Sequence, residues 1–431
     1  MLNHTSSLKT VLRCAALLLL FPLVAFSAEL PKPVIPAGVG VNIHFVQGHQ
    51  RDLDLIQAAG FKFVRMDFDW HAIERNKGEY DWSVYDELTR NLERHGLRAI
   101  YIFDYSNPLY EQQVDSHNAL KTSIEQRDTA SPQHPESIAA YARWAVASVK
   151  HFHGRRIIWE IWNEPNGFFW KPKPDAEQYS ALALATAKAI REAEPKATVI
   201  GPALSGFQPP YMETFLKSGV LQYLDAVSVH PYRNWKEWPE TAEGGYQNLR
   251  KEIEQYAPAN KKNLPIICGE WGYSTKAGEL PLEMQAAYLV RQQLFNLLNG
   301  VPLSIWYDWK NDGTNPHEVE DNFGTVTDKL APKPAYNAIK LMTHELAGYR
   351  INKRLETDKN DFVLLCTRPF GKNKIVAWTT GEPHPVKIKA TNAGAHNLAG
   401  ITGLGERFQV QSQNGQWTIP LESLPKYITV K

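Results

Sequence analysis

Cysteine is scarce in this chain, with only three among 431 residues. Cys14 lies in an apolar N-terminal segment, while Cys268 and Cys366 are far apart in the sequence. Disulfide-stabilised folds need several cysteines, and metal sites need ligands at short, regular spacing. We therefore expect neither a disulfide framework nor a cysteine metal site.

An excess of one charge is also missing, because 47 Lys and Arg residues face 46 Asp and Glu residues. Proteins that bind nucleic acid or an anionic membrane surface usually carry a basic patch or tail. We therefore expect neither of these partners. The sequence also has no H-E-x-x-H motif or other paired-ligand spacing, so we expect no metal and no cofactor.

Long apolar runs are rare, and the clearest one lies within residues 1–28. Lys9 and Arg13 precede the run AALLLLFPLVAF, which passes into the small residues of AFSA. The run is too short to span a bilayer comfortably, and the pattern is typical of a cleaved secretory signal. We predict a periplasmic or secreted protein with no stable membrane span after cleavage. An uncleaved anchor is the alternative.

Strand-like apolar segments and helix-like amphipathic segments alternate through residues 34–348. Near-continuous apolar runs are typical of buried parallel strands. Eight such units predict an α/β fold, a (β/α)8 TIM barrel. A doubly wound sheet is the competing fold, but its glycine-rich phosphate turn is missing from VNIHFVQGHQ after the first strand. The predicted strands cover 38–44, 61–68, 97–103, 156–162, 197–203, 224–230, 264–270 and 302–309.

The segment 349–431 has a different pattern, with polar and apolar residues alternating in runs such as KNKIVAWTTG and ERFQVQSQ. Gly, Asn and Pro separate these runs. The period of two predicts a small antiparallel β-sandwich. No low-complexity linker precedes it, so we expect it to pack against the barrel.

Polar residues follow the predicted strands, and the active sites of TIM barrels lie at this end. Glu164 ends the fourth strand and Glu270 ends the seventh. Glycoside hydrolysis needs two such carboxyl groups, one to protonate the leaving oxygen and one to attack or to activate water. Glu160 lies two residues deeper than Trp162, and we predict that it pairs with a basic residue such as Arg65.

These motifs carry a resemblance. WEIWNEPNG resembles the fourth-strand motif of the large clan of retaining (β/α)8 glycoside hydrolases with an Asn-Glu-Pro sequence, and IICGEWGY resembles their seventh-strand end. RMDFDWHAIERNKGEYDW, SVHPY and WYDWKNDG make the chain most similar to glycoside hydrolase family 39. That family includes β-xylosidases, α-L-iduronidases and secreted bacterial enzymes that hydrolyse biofilm exopolysaccharides.

The resemblance implies that Glu164 is the acid/base and Glu270 the nucleophile of a retaining reaction. The two carboxyl groups should then lie roughly 5–5.5 Å apart. It also implies that Asn163 binds the sugar 2-hydroxyl. The supporting roles that it implies are orientation of Glu270 by His230 and Tyr232, support of the nucleophile by Arg65, and a sugar floor formed by Trp306.

Further candidates come from position alone. His44 and Asp104 end predicted strands, where substrate contact and scaffold hydrogen bonding are both open. Cys268 is predicted to be a small buried side chain beneath the site. Flat apolar rings in rim loops could stack on sugars, and these candidates are Trp170, Trp235, Trp238 and Trp309.

We therefore predict a monomeric retaining glycoside hydrolase with an oligo- or polysaccharide substrate. Long loops suggest a groove and endo-cleavage of a bacterial exopolysaccharide. An exo-β-glycosidase of the β-xylosidase type and a transglycosylase are the enzymatic alternatives. A carbohydrate-binding protein on an inactive barrel is the non-enzymatic alternative, and the intact carboxylate pair argues against it.

Overall fold

The computed structural model describes residues 30–117, 125–389 and 397–430. The predicted signal peptide, 1–28, lies outside the described residues. Within those ranges, no helix combines the length and apolar character needed to cross a membrane.

Eight parallel strands close into a barrel, which confirms the predicted fold. Strands are numbered along the chain, and β4 (Gln113–His117) and β5 (Glu125–Thr129) form a separate hairpin between the third and fourth barrel strands. Each predicted strand segment overlaps one barrel strand, and four of the strands extend one or two residues beyond the predicted end. Their bounds are β1 Val39–Asn42, β2 Phe63–Asp69, β3 Arg98–Asp104, β6 Ile158–Ile161, β7 Thr198–Ser205, β8 Ala226–His230, β9 Ile266–Trp271 and β10 Ser304–Trp306.

Helices surround the barrel, and local sequence explains where several begin. Asp175 caps the helix after the fourth barrel strand, because its carboxylate accepts hydrogen bonds from the backbone N–H groups of Glu177 and Gln178. Proline occupies the first turn of three other helices, where no backbone donor is needed. The helix bounds are α1 Gln50–Ala58, α2 Trp70–Ile73, α3 Ser83–Arg94, α4 Pro135–His151, α5 Ala176–Ala193, α6 Pro209–Lys217, α7 Glu243–Tyr256, α8 Leu282–Leu298 and α9 Pro334–Glu345.

The barrel interior changes from apolar to polar along the strands. Phe63 and Ile158 belong to a small apolar cluster that also contains inward residues of the neighbouring strands. Two residues further on, on the same face of each strand, lie Arg65 and Glu160. The apolar layer therefore closes one end of the barrel, and charged side chains fill the end where the strands stop.

Cys268 corrects one detail of the prediction. It belongs to the cluster between the barrel strands and the helices, whereas its neighbour Ile267 belongs to the inner apolar cluster. Cys268 therefore faces the helices and does not lie beneath the site. Burial raises the pKa of its thiol to about 12, although hydrogen bonds from Ser304 and Tyr246 oppose this rise, so the sulfur is unreactive at neutral pH.

The C-terminal segment forms an antiparallel sheet of eight strands in the order β11–β12–β13–β18–β15–β16–β17–β14. One face of this sheet shares a continuous core with the barrel, and the other buries a second apolar cluster. This confirms the predicted sandwich-like domain. Its strands are β11 Arg350–Arg354, β12 Asp361–Thr367, β13 Asn373–Thr379, β14 His384–Lys389, β15 Leu398–Ile401, β16 Arg407–Gln413, β17 Gln416–Leu421 and β18 Lys426–Val430.

Candidate active site

Arg65 on β2 is the centre of a buried polar network at the open end of the barrel. Its side chain is 1% exposed, and its Nε donates to Glu160 Oε2 at 2.6 Å. Its Nη1 donates to Glu270 Oε2 at 2.7 Å and its Nη2 to Asn163 Oδ1 at 2.8 Å. One guanidinium group thus fixes three side chains, two from the end of β6 and one from the end of β9, and the predicted pairing of Glu160 with Arg65 is present.

The charges of this network support one another. Burial alone would lower the pKa of Arg65, but the carboxylates of Glu160 and Glu270 outweigh it and raise the pKa above its usual value. A buried arginine with two carboxylate partners therefore stays charged. Glu160 holds one edge of the guanidinium group and so keeps the other edge directed at Glu270.

Glu270 receives a hydrogen bond on each carboxylate oxygen. Arg65 occupies Oε2, and the hydroxyl of Tyr232 donates to Oε1 at 2.7 Å. Burial raises the pKa of Tyr232 well above its usual range, so its hydroxyl stays protonated and remains a donor. The side chain of Glu270 is 13% exposed, which leaves it a route to the mouth of the barrel. Two donors hold it in one orientation and suit an ionised carboxylate.

Glu164 lies just beyond β6 in a strained turn. Trp162 and Glu164 have φ angles of 67° and 43°, in the left-handed region that such residues rarely adopt. The turn is held by backbone hydrogen bonds from Trp162 to Phe103 and from Glu164 to Ala203, at 3.1 and 3.0 Å. Because β6 ends at Ile161, this turn aims the Glu164 side chain at the barrel mouth.

His230 contacts Glu164, which corrects the prediction that it holds Glu270. Its Nδ1 lies 2.9 Å from Glu164 Oε1, and its ring is fully buried. Gly269 makes room for this ring, because a Cβ there would lie 3.2 Å from His230 Nε2 and 3.1 Å from Glu160 Oε1. The resemblance implied a contact with Glu270, whereas the ring nitrogen of His230 within hydrogen-bond distance of a catalytic carboxylate faces Glu164.

The two candidate catalytic carboxylates are close enough to act on one sugar. An oxygen of Glu164, an oxygen of Glu270 and a ring nitrogen of His230 all lie within 4.8 Å of one another. Retaining glycosidases have carboxyl groups roughly 5–5.5 Å apart, whereas inverting enzymes need roughly 6.5–9.5 Å to admit a water. The observed spacing matches the retaining geometry.

Asn163 lies beside this pair with its amide fixed on both sides. Its Oδ1 accepts from Arg65, and its Nδ2 donates to the hydroxyl of Tyr105 at 3.2 Å. Tyr105 in turn stacks on Phe169, with ring centroids 5.4 Å apart. Tyr105 was not among the predicted site residues, although its position directly after Asp104 at the end of the third predicted strand was a usable signal.

His44 occupies the rim beside the last barrel strand. Its side chain is 42% exposed, and its Nε2 lies 3.3 Å from a carboxylate oxygen of the buried Asp308. Burial lowers the pKa of His44, but the hydrogen bond and charge of Asp308 outweigh this and raise it to about 9. His44 therefore presents a cationic ring at neutral pH, in a position that a ligand in the mouth could reach.

Three predicted substrate contacts are enclosed by the protein. Trp306, Trp309 and Asp104 are each at most 1% exposed. Trp309 turns its Nε1 towards Asp52 at 2.9 Å, and burial with nearby Asp67 raises the pKa of Asp104 well above its usual range. A sugar could touch these side chains only after the core rearranged, so their positions argue for scaffold roles.

The tryptophan platforms predicted from the rim loops divide in the same way. Trp170 is fully buried and packs against Trp162 and Tyr179, so it offers no free face. Trp235 is partly buried, and Trp238 is 38% exposed. Trp309 is also buried. Of the four predicted platforms, Trp235 and Trp238 therefore remain available to a ligand.

Comparisons with known proteins bear on the family and the fold of the chain. The family model described as cellulase, glycosyl hydrolase family 5, matches residues 33–313, which is most of the chain. The chain belongs to this family of barrel glycoside hydrolases. A family 39 glycoside hydrolase from Bacteroides cellulosilyticus has the same overall structure, with a TM-score of 0.76 and 26% identity over 94% of this chain and 82% of the other. The predicted resemblance to family 39 is confirmed.

Two curated relatives carry the name β-xylosidase. The one from Geobacillus stearothermophilus is 34% identical over 46% of this chain and 45% of its own length. The one from Caldicellulosiruptor saccharolyticus is 26% identical over 51% of this chain and 47% of its own length. The chain thus spans about half the length of the curated relatives it matches.

Tyr307 is a second residue near the mouth that the sequence prediction missed. It is partly buried, and its hydroxyl donates to Glu320 at 3.0 Å. Its ring contacts those of His44 and Phe323 edge to face, with centroids 5.6 and 5.1 Å apart. Tyr307, and not the adjacent Trp306, is therefore the aromatic ring that reaches the mouth at the end of β10.

Two groups among the described residues have the spacing of metal ligands: Glu164, His230 and Glu270, and His44, Asp308 and Asp312. In the first group an ion would occupy the space between the two carboxylates that a sugar needs. In the second, His44 already pairs with Asp308. We assign no metal to either group.

Proposed function

We propose that this protein is a retaining glycoside hydrolase in which Glu270 is the nucleophile and Glu164 the acid/base. The observation that carries the proposal is the distance of less than 4.8 Å between oxygens of these two carboxylates, combined with their different partners. The short gap leaves no room for a water between the sugar and the attacking group, as inversion would require.

Glu270 suits the nucleophilic role because its position is fixed before substrate arrives. Arg65 and Tyr232 each hold one oxygen, and Arg65 is itself held by Glu160. Attack on the anomeric carbon then needs little reorganisation of the nucleophile. When the bond between Glu270 and the sugar forms, the carboxylate loses its charge. When water breaks that bond in the second step, Arg65 and Tyr232 stabilise the carboxylate that is released.

Glu164 suits the acid/base role because, within the part of the chain that the structure describes, only one of its carboxylate oxygens has a hydrogen-bond partner. Oε1 faces His230, which leaves Oε2 for the oxygen of the departing group. The Glu164 carboxyl group protonates the leaving oxygen in the first step and removes a proton from water in the second. The strained turn around Glu164 fixes its direction, since the backbone there is held by neighbouring strands.

The remaining side chains at the mouth would recognise the sugar. Asn163, held by Arg65 and Tyr105, would donate to the 2-hydroxyl, a contact that strengthens in the transition state. Tyr307 would supply an apolar surface, and His44 a charged donor.

For the substrate, we propose a β-xyloside cleaved from the end of a chain. The two curated relatives named β-xylosidase support exo-action on xylosides over endo-cleavage of a bacterial exopolysaccharide. The carboxylate pair alone supports hydrolysis of a glycosidic bond and leaves the sugar open.

The test is digestion of aryl β-xylosides, xylo-oligosaccharides and bacterial exopolysaccharides, with mass spectrometry of the products and NMR of the first anomer released. We expect xylose with retained configuration. Inverted product would reject the mechanism, oligosaccharide products from within a chain would reject exo-action, and transfer to sugar in place of water would indicate a transglycosylase. Binding without turnover would favour the carbohydrate-binding alternative.

Glu136→Gln, a change at an exposed surface glutamate, is the control variant, and its products and rates should match those of the unaltered protein.

A further inference from the structure

A buried contact joins the C-terminal sheet to the loop that carries Tyr232. We propose that Trp378 on β13 is a positioning residue for the nucleophile, acting through Glu240 and the segment 231–242, which we call the β8 loop. The proposal rests on the proposed function, because it assigns a role in catalysis to a residue of the second domain. Trp378 itself touches neither the carboxylate pair nor any group at the mouth.

Glu240 is the point where barrel and sheet meet. Its Oε1 accepts from Arg291 Nε at 2.8 Å and from Trp378 Nε1 at 2.7 Å, and its Oε2 accepts from Arg291 Nη2 at 2.6 Å. All three side chains are buried. Arg291 belongs to α8, so a helix of the barrel and a strand of the sheet hold the same loop carboxylate.

The other end of the β8 loop carries Tyr232, whose hydroxyl donates to Glu270. Between the two ends, the hydroxyl of Tyr273 donates to the backbone carbonyl of Glu237 at 3.1 Å. The loop is therefore tied at its beginning to the nucleophile through Tyr232. At its end it is tied to Arg291 and Trp378 through Glu240. Movement at Glu240 would shift the loop from which Tyr232 reaches the carboxylate.

Trp378 is itself held rigidly in the sheet. Its ring stacks on Phe362 with centroids 5.0 Å apart and planes within 4°, and the guanidinium group of Arg354 lies 3.8 Å from the centre of the Phe362 ring. Trp378 is fully buried in the core that the sheet shares with the barrel. Its indole N–H group is therefore a donor in a fixed position. A fixed donor holds the Glu240 carboxylate in one place more firmly than a donor on a mobile side chain would.

Removing this donor should loosen the loop while leaving most of the packing in place. In Trp378→Phe, Glu240 would keep its two bonds to Arg291 and lose one buried partner. A buried carboxylate oxygen that loses a donor destabilises the folded state. A shift of the loop that lets water reach Glu240 would reduce this destabilisation. Such a shift would disturb Tyr232 and Glu270, whereas the sugar-binding groups Asn163, His44 and Tyr307 lie on other strand ends and would keep their own contacts.

A double-mutant cycle tests this route. Trp378→Phe should lower kcat by about tenfold with KM changed less than about twofold, because small misplacements of reacting groups are costly. Rates are expressed per active site counted by covalent trapping with a 2-fluoro glycoside, which removes any loss of folded protein. In the Tyr232→Phe background the same change should cost less than about twofold, because the coupled residues act together.

Trp417→Phe is the matched control, because Trp417 is also a buried tryptophan of the sheet but faces the second cluster. It should leave kcat per active site unchanged in both backgrounds. Equal losses for Trp378→Phe with and without Tyr232 would show that the effect does not pass through that residue. No loss in either background would show that Trp378 has no positioning role. Either result overturns the proposal.

Hydrogen exchange separates failure of this proposal from failure of the proposed function. Peptides covering 231–242 should exchange faster in Trp378→Phe than in the unaltered protein and in Trp417→Phe. If the unaltered protein hydrolyses no glycoside, the proposed function fails, and the positioning of a nucleophile fails with it. If the protein is active but exchange in the loop is unchanged, only the positioning proposal is overturned.

Discussion

Glu164 and Glu270 share one barrel mouth but have different surroundings. Glu270 accepts a hydrogen bond on each oxygen, from Arg65 and from Tyr232. The Glu164 side chain has one hydrogen-bond partner among the described residues, His230, and sits on a strained backbone turn. The difference shows how one pair of identical side chains can be divided into a fixed nucleophile and a proton carrier with one free oxygen.

The largest effect should come from removing the nucleophile. Glu270→Ala should lower kcat by at least about 10⁴-fold, because it removes the carboxylate that attacks the anomeric carbon. Added azide should restore part of the rate and give a glycosyl azide of inverted configuration, identified by NMR. Nearly full activity without azide would contradict the assignment.

Removing the acid should have a smaller effect that depends on the substrate. Glu164→Gln should lower the rate about 10²- to 10⁴-fold for substrates with poor leaving groups. Activated aryl glycosides need little protonation, so their first step should be much less affected, as pre-steady-state measurements with both substrate types would show. Equal losses on the two would argue against an acid role.

Changing the centre of the network should impair both folding and turnover. Arg65→Lys keeps the positive charge but removes the planar guanidinium group, whose three nitrogens each donate a hydrogen bond. A single ammonium group takes its place. We expect a kcat loss of about 10²-fold and a loss of about 2–4 kcal/mol in the free energy of unfolding, from buried partners left unpaired. Urea unfolding and steady-state kinetics would check this. Arg155→Lys, at a surface ion pair, is the control and should change neither.

Loss of the hydroxyl on the second oxygen of Glu270 should be milder. Tyr232→Phe removes the donor to Oε1 and leaves Arg65 on Oε2. We expect kcat to fall about tenfold with little change in KM, because one charge-assisted hydrogen bond is lost. A fall as large as that for Glu270→Ala would show that Arg65 alone does not orient the nucleophile.

The smallest predicted effect is a pH dependence of stability from His44. Its pKa is raised from 6.5 to about 9 in the folded protein, so its stabilising pairing is complete below pH 6.5 and lost as the pH rises through about 9. The groups facing it are Asp308, Asp312 and Asp67. The melting temperature should therefore fall more between pH 6 and 10 in the unaltered protein than in His44→Gln. Parallel curves would contradict the pairing.

Much of the fold followed from the sequence because buried parallel strands need continuous apolar segments. WEIWNEP and IICGEW also predicted the carboxylate pair, since a residue at the end of a barrel strand lies at the mouth wherever the helices run. Arg65 and Glu160 were predicted to pair because both lie inside the barrel on inward-facing positions.

The direction of side chains beyond the strands was harder to predict. Trp306 and Tyr307 are neighbours, and the family resemblance implied Trp306 as the sugar floor, yet it is Tyr307 that reaches the mouth. His230 was assigned to the wrong carboxylate for a similar reason. Both outcomes depend on where strands end and loops turn, which the local pattern does not specify.

By itself, the sequence determined that the chain forms a barrel with a second β-domain and carries Glu164 and Glu270 at one rim. It could do so because apolar periodicity and strand-end position are local properties of the chain. Only the tertiary structure decided which partners each carboxylate has, which aromatic rings remain accessible, and that Trp378 contacts the loop beside the nucleophile. Those contacts join residues distant in sequence, and their geometry exists only once the strands have closed and the sheet has packed against them.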